Sequence, residues 1–192
     1  MREKYFPVFY GIVLGLLTLL YAEFMASTFG LYEKDIKAAL FQEAMEHTEG
    51  VIVQGHEQEK DISRKVFKTE KEAKKAANKA WVYLKRAHSH AEGMGAITLA
   101  LVLLLGHTSI KPLFKKILSV MIGAGGFAYP LCWFYTGVWM ADKGKEVAKA
   151  EIHYLAITSV SLYLIGLSAL FALIVLNYFK PLKAINYFFG EY

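Results

Sequence analysis

The chain has 192 residues, 55% of them hydrophobic and 20% charged, with a formal net charge of +5 and a mean hydropathy of +0.31. An average this apolar is unusual for a water-soluble domain, so the charge must be segregated along the sequence. The single cysteine, Cys132, excludes an intrachain disulfide, a thiolate pair for a metal and C-x-x-C-H haem attachment, and the positive charge comes without a nucleic-acid-binding motif.

The first apolar run, residues 6–29, exceeds the roughly 20 residues that cross a bilayer. Its length, and the lack of a small-x-small exit, read as a retained helix and not a cleaved signal. Pro7 sits at its start, where a missing N–H costs little. Gly11 and Gly15 have the spacing that lets a second helix approach closely. Residues 30–87 are hydrophilic. Within them, Tyr32 to His47 reads as an amphipathic helix with Ile36, Leu40, Phe41 and Ala44 on one side. A short apolar break lies between Gly50 and Gly55. Thr69 and Glu72 then have capping-box spacing, and no proline or glycine follows until Gly93. One helix should therefore begin near Thr69 and run into the second span, residues 86–107. The strictly apolar part of that span, residues 96–105, is too short to cross alone. The helix must carry Arg86, His88, His90 and Glu92 at or below the membrane surface. The third span is residues 117–140, with Pro130 expected to kink it. The fourth is residues 154–178, ended by Pro181.

The expected fold class is all-α: a polytopic membrane protein, a four-transmembrane-helix bundle forming one membrane domain over residues 1–192. A helical extramembrane insertion, residues 30–87, separates the first and second spans. Aromatic residues such as Phe6, Tyr32, Trp139, Tyr154 and Tyr178 fall near span ends, as interfacial belts do. Arg2, Lys4, Lys111, Lys115, Lys116, Lys180 and Lys183 flank the spans on one side. The positive-inside rule makes that side cytoplasmic, with both termini there and the insertion on the outer side of a plasma (inner) membrane.

The polar residues gather at the outer end. Glu23 is late in the first span, and His88, His90 and Glu92 are early in the second. His153 opens the fourth, and His47 and His56 lie in the insertion; His107 alone falls at the cytoplasmic end. Ionisable groups at membrane depth are costly, so each is a candidate for function. His88 and Glu92, four apart, share a helical face; His90 and Met94 share another. His88 and His90 are about 200° apart and cannot chelate one ion from a regular helix. Ala91, Gly93, Gly95 and Ala96, with Gly123, Gly125, Gly126 and Ala128 in the third span, leave room for close helix packing or for a flat porphyrin. Histidine beside small residues, opposite a second histidine, is how a helical bundle holds b-type haem. By axial rise His153 lies roughly 10 Å beyond His88, an offset that helix tilt can reduce; His153 can instead pair with His47 or His56. Glu43, Glu46 and His47 have carboxylate–histidine spacing, which a solvated helical face also explains.

These features predict a membrane electron-transfer subunit holding b-type haem near the outer face. His88, His90, His153, His47 and His56 are the candidate ligands, and Glu23 and Glu92 the candidate groups for quinol protons. The alternatives are a copper, zinc or di-iron site on His88, Glu92 and His153, or a cofactor-free structural subunit of a larger complex. The implied partners are the bilayer, further membrane or outer-face redox subunits, and quinone, not nucleic acid. No Walker loop, dinucleotide glycine fingerprint, H-E-x-x-H or serine-nucleophile elbow is present. No catalytic residue is therefore assigned, and a redox or non-catalytic subunit is favoured over an enzyme.

Overall fold

A computed structural model describes residues 6–48 and 66–178. A 3-10 turn at Phe6–Val8 leads into four helices: α1 (Phe9–Glu46), α2 (Glu70–His107), α3 (Pro112–Lys143) and α4 (Lys145–Tyr178). All four are long and apolar enough to span a membrane, as the hydropathy pattern requires. The expectations placed on His56, on the break between Gly50 and Gly55, and on Pro181 lie outside the described residues.

The helices are longer than their apolar segments. α1 and α2 have 38 residues each, about 57 Å at about 1.5 Å per residue, against a hydrocarbon thickness of about 30 Å. The bundle therefore has an apolar half, holding the 107–112 connection, and a charged half, holding the α1–α2 connection and the α3–α4 turn. In α1 the first span and the amphipathic segment are one element, with a single break from helical dihedral angles at Tyr32 (φ −123°, ψ 22°). Past that break Ala44 is buried and Ile36, Leu40 and Phe41 are half-buried, which is the face the sequence periodicity assigns inward.

α2 begins where the capping box places it. The Thr69 hydroxyl accepts from the Glu72 backbone N–H at 3.3 Å, and the Glu72 carboxylate accepts from the Lys68 N–H at 3.0 Å. At its other end the buried Lys115 ammonium donates to the Gly106 carbonyl at 3.0 Å. A cation thus meets carbonyls that have no intrahelical partner. α3 stays helical through Pro130, and it extends beyond residues 117–140 at both ends. The α3–α4 turn is a single residue: Gly144, at φ 77°, takes the left-handed conformation that glycine adopts without steric cost.

Two cores hold the bundle, one in each half. In the charged half Phe67 and Met140 pack with a set of alanines, including Ala44, Ala73, Ala80, Ala141 and Ala148. In the apolar half Val8, Val102, Leu105, Ile122, Leu170 and neighbours pack together. A glycine seam joins them. A Cβ on Gly11 would lie 2.7 Å from the Ser119 carbonyl oxygen, and one on Gly125 would lie 2.6 Å from both the Ser159 carbonyl oxygen and the Tyr163 nitrogen. The first pair of backbones belongs to α1 and α3, the second to α3 and α4. α1, α2 and α3 pack against one another, whereas α4 packs principally on α3.

Candidate functional site

The sequence-derived ligands separate along the bundle. His88 is half-buried and turned to α1, where its Nδ1 donates to the Ala22 carbonyl at 3.1 Å and its ring meets Phe29 edge-on. Its Nε2 stands 4.0 Å from the Glu92 carboxylate, the i,i+4 pair the helix period requires. His90 is turned to α3. It stacks on Trp133 with ring centroids 5.2 Å apart and meets Tyr129 edge-on at 5.2 Å. The Arg86 guanidinium, one turn earlier, sits over Trp133 at 5.3 Å and over Tyr83 at 5.6 Å. The two imidazoles thus face different helices, as the 200° between them demands.

His153 is exposed on α4, on the flank of the bundle, where its ring contacts Tyr154. Glu23 and Glu92 are also exposed. His107 bonds back to the Leu103 carbonyl within its own helix, at 2.8 Å. The glycines that leave space in the sequence are largely filled by neighbours. A Cβ on Gly95 would meet Leu19 at 2.9 Å, one on Gly123 would meet Leu14 at 3.0 Å and one on Gly126 would meet the Thr98 hydroxyl at 2.4 Å; only Gly93, of those five, has nothing within 4 Å. Helix-to-helix packing therefore takes up the space beside Gly95, Gly123 and Gly126.

One group of three metal-ligating side chains does meet among the described residues: Glu43, His47 and Asp142. His47 Nε2 lies 3.2 Å from Asp142 Oδ1 and 3.5 Å from Glu43 Oε1. Four-coordinate zinc with bonds of about 2.0–2.1 Å separates its ligands by about 3.3 Å, so these spacings match a tetrahedral edge. The set has two hard carboxylates and one imidazole of intermediate softness, without a thiolate or thioether, which suits zinc or iron better than copper(I). His47 is 25% exposed, Asp142 28% and Glu43 49%, so the cluster is only partly enclosed, and its three side chains would fill three of the four positions of a tetrahedral ion.

Local structure fixes each ligand. Glu43 and His47 are one turn apart at the end of α1, and His47 is its C-cap. The His47 carbonyl accepts from the Val66 and Phe67 N–H groups at 2.9 and 3.1 Å, so the chain returning from the insertion pins this corner. Thr48 donates its hydroxyl to the Ala44 carbonyl at 2.8 Å. Asp142 comes from the last turn of α3. There Lys143 is engaged elsewhere, donating to the Glu151 carboxylate at 2.8 and 3.0 Å and lying over the Trp139 ring. When the imidazole is protonated, the same geometry makes two ion pairs, one with Glu43 on α1 and one with Asp142 that ties α1 to α3.

Glu43 and His47 are visible in the sequence as a spaced pair; Asp142 is not. It lies 95 positions from His47, in a stretch the hydropathy pattern leaves as a connection.

An apolar groove of about 570 Å³ runs from this cluster toward the apolar half. Glu43 and Asp142 line one end, Leu40 and Trp139 lie beside them, and Phe24 and Phe134 line the other. Comparison of the chain with known protein families, with curated proteins and with solved structures finds no match.

Proposed function

We propose that this is an integral membrane protein whose charged half projects from the outer face of the membrane and holds one divalent transition metal, zinc or iron, at Glu43, His47 and Asp142. The observation that carries the reading is the convergence of three ligand atoms from α1 and α3 within 4.8 Å of one another, with the imidazole at tetrahedral-edge spacing from each carboxylate. Membrane residence is supported by four apolar helices and by their outward side chains. Leu20, Phe24, Ile157, Leu164, Ile165 and Phe171 are all exposed, a ring of apolar surface too large for a soluble monomer. The orientation rests on the lysines and arginine that flank the apolar half. Two carboxylates, a neutral imidazole and a divalent cation sum to zero charge, so the centre can bind one further anionic or neutral ligand.

Equilibrium dialysis of chelator-stripped protein against zinc and iron(II) tests the reading. One ion per chain should bind, and Asp142→Asn or His47→Ala should weaken it at least about 10-fold. Binding unchanged in both variants would remove it.

The haem reading retains one specific support. Ala22 fixes the His88 ring through Nδ1, which leaves Nε2 on a half-exposed surface where a partner subunit's ligand and porphyrin would have to supply the rest. A reduced-minus-oxidised haem band in the gently extracted complex, lost in His88→Ala, would favour it over the metal centre.

A further inference from the structure

The groove gives the proposed metal centre a substrate class. Resting on the metal reading above, we infer that a single-chain amphiphile with an anionic oxygen head, of the fatty-carboxylate kind, enters from the bilayer, lies in the groove between α1 and α3, and completes the coordination of the ion.

Four observations lead there. The groove is continuous from the cluster to a segment apolar enough to lie in a membrane: its lining includes Glu43 and Asp142 at one end and Phe24, Met25 and Phe134 at the other. Phe24, which lines that end, is 70% exposed on the outside of the bundle, where lipid would lie beside it, so this is the end by which a chain would enter sideways without crossing water. Its walls between the ends include Ile36, Leu40, Leu84 and Trp139, with Thr28 the one polar residue, its hydroxyl turned back to the Phe24 carbonyl, and its volume of about 570 Å³ falls within the range of small-molecule sites, with room for one alkyl chain. The break at Tyr32 falls between Phe29 and Ile36, both of which line the groove.

Charge selects the head group. Without a metal, the polar end presents the Glu43 and Asp142 carboxylates, which repel an anion. With a divalent ion bound there, the centre is neutral and has open positions, and an anionic oxygen becomes a ligand. Binding of such an amphiphile must therefore depend on the ion. A solvent-borne anion of the same head chemistry would reach the metal without using the groove, and chain length separates these two sources.

The test uses the full chain in phosphatidylcholine nanodiscs, loaded with cobalt(II), whose visible bands report a new ligand. Dodecanoate should shift those bands at a concentration at least about 100-fold lower than acetate requires, because each buried methylene adds to affinity. Ile36→Trp fills the groove about two helical turns, roughly 10 Å, from Glu43, the nearest of the three ligands along α1. It should leave cobalt affinity unchanged and remove most of the dodecanoate advantage. Equal potency of acetate and dodecanoate, or an undiminished advantage in Ile36→Trp, overturns the inference and leaves the metal centre standing. Bound cobalt whose spectrum ignores dodecanoate does the same. Failure of cobalt to bind removes the metal centre, and this inference with it.

Discussion

Replacing Gly125 with alanine puts the packing of α4 to the test. The new methyl would start 2.6 Å from two backbone atoms of α4, the Ser159 oxygen and the Tyr163 nitrogen, where ordinary contact begins near 3.4 Å. The two backbones must part by about 0.8 Å. Neither partner is the tip of a flexible side chain, so the strain has to move a helix. Overpacking of this kind costs about 1–3 kcal/mol, against which alanine returns up to about 1 kcal/mol of helix propensity. A net loss of about 1–2 kcal/mol is expected, concentrated in α4 because that helix rests principally on α3. Gly93→Ala is the control: with nothing within 4 Å, it keeps the propensity gain and meets no wall. Thermal unfolding in mild detergent, followed by far-ultraviolet circular dichroism, should lower the midpoint for Gly125→Ala and hold or raise it for Gly93→Ala. Shifts of the same sign and size in both variants would refute the packing argument.

Three further outcomes follow from named contacts. Thr69→Ala removes the cap of α2 and should cost about 1 kcal/mol in the same unfolding assay, whereas Thr69→Asp should retain most of it. Lys115→Met leaves the end of α2 without its charged donor and should cost about 2 kcal/mol, with no loss of metal binding at the far end of the bundle. The Glu33 carboxyl is held below the ordinary carboxylate range chiefly by its hydrogen bond from Lys37. A lowered folded-state value means that any stability it lends is present at neutral pH and disappears only as acid protonates it. Because that carboxylate is fully exposed, Lys37→Met should change the acid unfolding profile only slightly; a large change would show that the α1 segment past Tyr32 depends on it.

Local signals in the sequence were sufficient for the elements and insufficient for the site. Thr69 with Glu72 marked the start of α2 because capping is decided within four residues. Gly11 and Gly15 marked a close crossing because only small residues permit one. The divergence of His88 and His90 followed from helical geometry alone, and the two rings do face different neighbours. What needed tertiary information was which helices touch. Aligning the spans side by side gives no reason to put α4 against α3 instead of α2, yet that choice leaves His153 on the outside. Hydropathy also marks where the apolar stretch stops, not where the helix stops. α1 passes through Tyr32 to Glu46 and α3 passes Met140 to Lys143, and the meeting of His47 with Asp142 depends on both extensions.

The claim on which the account turns is that one imidazole and two carboxylates bind a single ion at the charged end of the bundle. Pulsed electron paramagnetic resonance of the manganese(II)-loaded, ¹⁵N-labelled protein measures this directly, since it detects nitrogen bound to the ion. The account predicts coupling to one imidazole nitrogen, retained in His88→Ala and lost in His47→Ala. Coupling that survives in His47→Ala, or none in the unaltered protein, would contradict it.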